Sequence, residues 1–77
     1  MKVQIAEHTI IDTTHISFSQ RVRLNQGGLA TEFKLAGSDK TNTAFDRPGD
    51  VLWAILESEA VPLYGESAAQ QQEAGEG

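Results

Sequence analysis

Three side chains near the N-terminus have the chemistry of metal ligands. His8, Asp12 and His15 are separated by four and three residues, so a helix would place them on one face. The residues between them are mostly β-branched, which disfavours a helix at this position. A zinc site also needs four ligands, or three ligands and a water molecule. The sequence therefore favours two surface histidines beside a turn, and it predicts no metal ion and no cofactor.

The residue pattern does not suggest an enzyme. Glu57 and Glu59 would be separated by about 200° around a helix, so they do not form the facing carboxylates that acid–base catalysis uses. The chain has no cysteine, which excludes thiolate nucleophiles and disulfide bonds. Gly27 and Gly28 are not followed by Lys-Ser or Lys-Thr, so they do not form a phosphate-binding loop. We therefore expect a protein without catalytic activity.

Basic residues in the middle of the chain form the first candidate binding surface. Arg21, Arg23 and Lys34 are predicted to share one exposed face of a hairpin, with Glu32 among them. Sheets that bind single-stranded nucleic acid combine basic and aromatic side chains on one face. Here the predicted register places both hairpin phenylalanines on the core face. The acidic balance of the chain also argues against a phosphate backbone as the ligand, so the pattern favours an ordinary solvated face, with an acidic protein partner as the alternative.

Trp53 is the second candidate for a contact residue. On a helical wheel it lies at the edge of the apolar stripe of the predicted C-terminal helix. Tryptophan is enriched among the residues that dominate binding energy at protein interfaces. A tryptophan at this position can equally pack against a strand as part of the core. The predicted contact residues for a protein partner are Trp53, Arg21, Arg23, Glu32 and Lys34.

The elements that would position these residues centre on a β-hairpin. Apolar and polar residues alternate on both sides of Asn-Gln-Gly-Gly at residues 25–28, which is the pattern of two half-buried strands joined by a turn. Pairing Leu24 with Leu29 places Arg21 opposite Glu32 on the exposed face. A shift by one residue would turn the arginines towards the core, which favours this register. The predicted apolar face contains Ile16, Phe18, Val22, Leu24, Leu29, Phe33 and Leu35.

Shorter strands are predicted on both sides of the hairpin. Val3 and Ile5 alternate with polar residues and predict a half-buried strand in the segment 2–11. Ile10 and Ile11 interrupt that alternation, so we expect a bend, a bulge or a second buried stretch there. A turn follows at residues 12–14. Further along the chain, residues 37–42 predict another turn, and residues 43–45 a short strand.

A C-terminal helix is predicted to begin within residues 46–50. Proline at position 48 is tolerated in the first turn, because its missing N–H would have no partner there. Asp46 and Asp50 favour the positive end of the helix dipole. Pro62 predicts that the helix ends at Ala60 or Val61. The apolar stripe at helical spacing consists of Val51, Leu52, Ile55 and Leu56.

The fold class predicted from these elements is α+β: a small antiparallel sheet of three or four strands with one C-terminal helix packed on its apolar face. Residues 1–64 form this single domain, since 77 residues make one domain at most. Residues 65–77 are predicted to be a disordered acidic tail rich in glutamine and glycine. No apolar run approaches the roughly 18 residues of a membrane helix and no signal peptide is visible, so we expect a cytoplasmic protein.

These observations predict a non-enzymatic module that binds a protein partner stoichiometrically, as an inhibitor or an adaptor does. One alternative is a homo-oligomeric structural subunit such as a homodimer, because the core is small and the sheet edges are open. The other is a single-stranded nucleic-acid binder that uses the face of Arg21, Arg23 and Lys34. The size, acidity and lack of cysteine also suit an accessory protein of a phage or mobile element, by analogy of composition alone.

Overall fold

The computed structural model describes residues 1–63, in which five strands form two separate antiparallel sheets and one helix packs on β4, β1 and β5. The smaller sheet pairs β1 with β2, and the larger has the order β3-β4-β5. The predicted α+β class and hairpin are confirmed. The predicted tail at residues 65–77 lies outside the described residues. The elements are β1 (Lys2–Ala6), β2 (Thr9–Asp12), β3 (Ile16–Arg23), β4 (Leu29–Leu35), β5 (Asn42–Ala44) and α1 (Asp46–Glu59).

The first segment of the chain forms a hairpin of its own. Glu7 and His8 form the turn between β1 and β2, and Val3 pairs with Ile11. The break in alternation at the two isoleucines therefore marks a second strand, and not a second buried stretch, because Ile10 is 65% exposed. The larger sheet has three strands, in agreement with the prediction, whereas the first strand pairs only with β2 in a second sheet that the sequence pattern did not predict. The turn predicted at residues 12–14 is a short 3₁₀-helix, Thr13–His15.

The register of the β3–β4 hairpin differs by one residue from the prediction. Arg23 pairs with Leu29, where the sequence pattern paired Leu24 with Leu29. The Leu24 N–H donates to the Gly28 carbonyl at 3.1 Å, so the loop between this closing pair has three residues. Gly27 and Gly28 both have positive φ angles, of 95° and 83°. Since loop length sets hairpin register, the shorter loop moves every pair of the ladder by one position.

This register places most of β3 differently from the prediction. Arg21 pairs with Thr31 on the side of the sheet that faces α1, whereas Phe18 pairs with Lys34 on the opposite side. A bulge between Ile16 and Phe18 reverses the alternation, so Ile16 still faces the helix. The core is built from the buried side chains Phe33, Ala44 and Leu52, against which pack Ile5, Ile11, Ile16, Leu35 and Leu56.

Helix α1 approaches the larger sheet closely at Gly49. Gly49 is buried, and its carbonyl oxygen accepts a hydrogen bond of 2.8 Å from the Thr31 hydroxyl. A Cβ atom at position 49 would collide with the Ala44 carbonyl oxygen. The helix is therefore rotated so that Gly49 and Leu52 face the sheet, while Val51, predicted to belong to the apolar stripe, is 38% exposed. The close approach to the β5 backbone therefore requires glycine at position 49.

The ends of α1 agree with the sequence pattern. The helix begins at Asp46, where a φ angle of 56° turns the chain sharply out of β5. Aspartate adopts this left-handed conformation more readily than most residues. The first helical hydrogen bond joins the Gly49 N–H to the Phe45 carbonyl at 3.2 Å, so Pro48 leaves no bond unmade. The helix ends at Glu59, one residue before the predicted end.

We predict that Gly49→Ala destabilises the protein by about 1–3 kcal/mol or more, because the added methyl group overlaps the β5 backbone. The sign is informative, since the same change at an exposed helical position stabilises by roughly 0.5–1 kcal/mol. Denaturant unfolding of the two proteins measures the difference. Glu57→Ala, at an exposed position of the same helix, is the control and should change stability by less than about 0.5 kcal/mol. A Gly49→Ala variant as stable as the wild type would contradict the close approach.

Candidate interaction surface

Arg21 connects the sheet to the helix. Its Nη2 atom donates to Asp50 Oδ1 at 2.6 Å, and its side chain is 20% exposed. Asp50 directly follows Gly49, so the close approach of the helix brings its carboxylate within reach of β3. The Nη1 atom of Arg21 is buried without a hydrogen-bond partner among the described residues. The side chain predicted to contact a partner is therefore bound to the protein's own helix.

The sheet separates the residues that the sequence pattern grouped into one cluster. Arg21 and Arg23 alternate onto the side facing α1, while Glu32 and Lys34 lie on the other side. Glu32 accepts a 2.8 Å hydrogen bond from Gln20, not from Arg21, which was predicted to lie opposite it. The predicted mixed cluster is wrong because it depends on pairing Leu24 with Leu29, which would leave four residues in the loop where the structure has three. The common face of three basic residues proposed for nucleic acid is not formed either.

The side of the larger sheet that points away from α1 carries a different set of side chains. We call it the outer face, formed by Phe18, Gln20, Val22, Glu32 and Lys34. Phe18, which the sequence pattern placed in the core, is 49% exposed. The Lys34 Nζ atom lies 5.9 Å from the centroid of the Phe18 ring, within the range of a cation–π interaction. The outer face thus joins one aromatic ring, one cation and one anion.

A second aromatic side chain extends the apolar part of this surface. Phe45 follows the buried Ala44 in an extended conformation, so strand alternation directs it to the side of the outer face. Its side chain is 51% exposed. Sequence reasoning missed Phe45 because an apolar residue between a short strand and a helix has no pattern that distinguishes core from surface.

Trp53 lies beside the buried stripe of α1, as the helical wheel predicted. It is half-buried, and its neighbour Leu52 is fully buried. A tryptophan at this position can cover the margin of the core, and it can also contact a partner. Its role in binding therefore stays a prediction, as do those of Arg23, Glu32 and Lys34.

The three side chains considered as metal ligands lie in different local structures. Asp12 Oδ1 caps the 3₁₀-helix, accepting hydrogen bonds from the backbone N–H and the hydroxyl of Thr14 at 3.1 and 2.8 Å. His8 lies in the β1–β2 turn beside Glu7, and His15 ends the 3₁₀-helix. Within residues 1–63, no three histidine, aspartate or glutamate side chains are grouped as metal ligands. No cavity is detected in this part of the chain.

The hydrogen bonds to Asp12 have an electrostatic consequence. The backbone N–H of Thr14 contributes most, followed by the Thr14 hydroxyl and the N-terminal ammonium group, and together they hold the pKa of Asp12 far below its ordinary value. The Lys2 Nζ atom lies 3.7 Å from the other carboxylate oxygen. The ionised form of Asp12 therefore joins β1, β2 and the 3₁₀-helix.

Comparisons with protein-family models, curated proteins and solved structures found no match to the chain. The helix formed by residues 46–59 is not long and apolar enough to cross a membrane.

We predict that Arg21 and Asp50 are energetically coupled by about 0.5–1 kcal/mol. The magnitude is modest because the Asp50 side chain is 64% exposed and water screens the pair. A double-mutant cycle with Arg21→Gln and Asp50→Asn, measured by denaturant unfolding, isolates this coupling. A second cycle with Arg23→Gln and Asp50→Asn is the matched control and should show no coupling. Equal coupling in the two cycles would contradict the assigned ion pair.

We also predict that Asp12→Asn lowers stability at pH 7, and that the difference from wild type narrows in acid. A pKa lowered by folding stabilises the native state above the ordinary pKa of 3.8, and this stabilisation is lost progressively as the pH falls below that value. Unfolding of both proteins at pH 7 and at about pH 2.5 measures the change. Asp39→Asn controls for the loss of one exposed aspartate. A difference between Asp12→Asn and wild type that is independent of pH would exclude a charge effect.

Proposed function

We propose that the chain is a non-catalytic module that binds a partner protein stoichiometrically through the outer face, as an inhibitor or an adaptor does. The observation that carries this proposal is Phe18. A half-exposed aromatic ring on this face of the sheet resembles the anchors that dominate protein interfaces. Strand β3 holds its backbone in place, so little conformational entropy is lost when a partner covers the ring.

The charges of the outer face support a protein as the ligand. Lys34 and Glu32 lie two residues apart on β4 and balance each other, although the whole chain carries a net charge of −5. Binding to a phosphate backbone depends on several cations that each release counterions. The outer face offers one, since Arg21 is paired with Asp50 on the opposite side. A surface with one aromatic anchor and balanced charges suits the polar rim of a protein interface.

A second copy of the chain is the other candidate ligand for this face. Lys34 of one copy and Glu32 of another can pair if two outer faces meet about a two-fold axis, because such an interface brings the same patch of both copies together. This arrangement would make the chain the homo-oligomeric subunit expected as an alternative. The experiment below separates the two cases by the mass of the complex.

We further propose that the protein acts in the cytoplasm. The 77 residues contain no cysteine, so the fold does not depend on an oxidising compartment. An accessory role in a phage or mobile element fits the size and composition of the chain, and we propose it on that analogy alone.

The proposal predicts that a photo-crosslinking phenylalanine analogue at position 18 captures one partner at a ratio of about one to one. The analogue keeps the aromatic ring, so binding should survive the replacement. The matched control carries the same analogue at Ile10, which is 65% exposed on the smaller sheet. Lysates of the source cells, followed by mass spectrometry, identify the captured chain. Phe18→Ala should then weaken binding of that purified partner by about tenfold, and Ile10→Ala should not.

Each outcome of this experiment decides between the hypotheses. Capture from position 18 alone supports the outer face. Equal capture from positions 18 and 10 would contradict it, because the contact would not depend on this face. A product with the mass of two copies of the chain would favour the homo-oligomeric subunit, and a cross-link to nucleic acid would favour the remaining alternative.

A further inference from the structure

The longest strand of the described residues is hydrogen-bonded on one side only. Strand β3 has eight residues and lies at the edge of the larger sheet. The other edge strands are shorter, with five residues in β1, four in β2 and three in β5. An edge strand presents a row of unpaired N–H and C=O groups to which another extended chain can bind. Strand β3 is therefore the longest such edge among residues 1–63.

The direction of the free backbone groups follows from the hairpin closure. The Leu24 N–H donates to the Gly28 carbonyl, and in an antiparallel ladder bonded and non-bonded pairs alternate from such a closing pair. Every second residue of β3 therefore bonds to β4, and the residues between them direct their N–H and C=O groups away from it. The outward-directed residues are Ser19, Arg21 and Arg23.

Strand β3 lacks two of the features that protect edge strands from pairing. Its sequence ISFSQRVR contains no proline and no lysine. Its bulge lies near its beginning, between Ile16 and Phe18, so residues 18–23 keep a regular ladder. The edge is therefore straight enough to accept a strand along most of its length.

The charges along this edge select the chemistry of the accepted strand. Strand β3 carries two arginines and no acidic residue. Arg21 is paired with Asp50, whereas Arg23 is exposed and makes no ion pair with residues 1–63. Opposite charges on directly paired strands stabilise a sheet, and like charges destabilise it. In an antiparallel pair of two β3 strands, the arginines of both copies would share one face, so a second copy suits this edge poorly.

We propose that the free edge of β3 is a docking site for an extended segment of a partner protein that carries acidic side chains opposite Arg23. The segment would add a fourth strand, antiparallel to β3, to the larger sheet. Its alternate side chains would lie beside Phe18 and Val22, so apolar residues are expected at those positions. This inference rests on the proposed function only in that the ligand is a protein.

A tethered peptide tests the edge directly. Because the chain has no cysteine, an Asn25→Cys variant carries a unique attachment point in the turn that follows β3. Two peptides of about seven residues, a common strand length, are attached through a glycine linker. One alternates valine with glutamate, and in the other lysine replaces glutamate. Tethering raises the effective concentration to the millimolar range, so weak pairing is detectable.

The measurement is amide hydrogen exchange by NMR on the full-length protein. The glutamate peptide should slow exchange of the Ser19, Arg21 and Arg23 amides by about tenfold or more, because they gain hydrogen bonds. Amides of Gln20 and Val22, already bonded to β4, should change little and serve as internal controls. The lysine peptide should give at least about threefold less protection.

Three substitutions separate backbone pairing from charge. Arg23→Glu should reverse the preference towards the lysine peptide, whereas Lys34→Glu, the same charge change on β4, should leave it unchanged. Ser19→Pro removes an outward N–H and should abolish protection by both peptides while the β4 ladder persists. Far-ultraviolet circular dichroism and the unfolding midpoint establish that each variant is folded, and the charge reversal stays informative if the proline variant is not.

The alternative results overturn the inference in distinguishable ways. Equal protection by both peptides would reject the acidic partner, and no protection by either would reject the docking edge. Protection that rises with protein concentration in the untethered chain would assign the edge to a second copy. Capture of a partner from position 18 without any edge protection would reject this inference and leave the outer face in place. Edge protection without capture at position 18 would reject the outer face and leave this inference in place.

Discussion

The contact between Gly49 and Ala44 determines how the helix lies on the larger sheet. The absence of a side chain at position 49 lets the helix backbone approach the end of β5, where the Thr31 hydroxyl bonds to the Gly49 carbonyl oxygen. Leu52, one turn later, then enters the core beside Phe33. A larger residue at position 49 would lift the helix and open this core. In a domain with three buried side chains at its centre, such a gap has a large effect on stability.

The position that this contact gives the helix also suits the register of the β3–β4 hairpin. The three-residue loop turns Arg21 towards the helix, where an unpaired guanidinium group would be costly. Asp50 follows Gly49 and reaches that guanidinium group at 2.6 Å. The charge that β3 directs towards the helix is thus paired by a carboxylate of α1. The opposite side of β3 carries Phe18, which is 49% exposed, and the half-buried Val22.

Strand β3 therefore contributes to both surfaces proposed for binding. Its side chains form much of the outer face, and its free backbone groups form the edge of the sheet. A ligand that adds a strand along this edge would place side chains next to Phe18, so the two surfaces are continuous. The net charge of −5 argues against polyanions as ligands of the whole chain, yet the local excess of arginine on β3 favours a segment with carboxylates. Overall charge and local charge thus point to different classes of ligand.

Local sequence patterns are enough to predict the α+β class, the hairpin and a C-terminal helix, because these follow from alternation, turn glycines and helical spacing. The helix was expected to begin within residues 46–50 and to end at Ala60 or Val61, and it ends at Glu59. The sequence also placed Trp53 correctly at the side of the helical stripe. Tertiary structure alone decided the split into two sheets, the register of the hairpin and the faces of Arg21 and Phe18. Alternation has the same period for either register, so one residue of loop length exchanges the two faces of β3, while those of β4 stay as predicted. The core contacts of Gly49 and the Asp50 pair select between the two, and neither can be seen in the sequence of the hairpin.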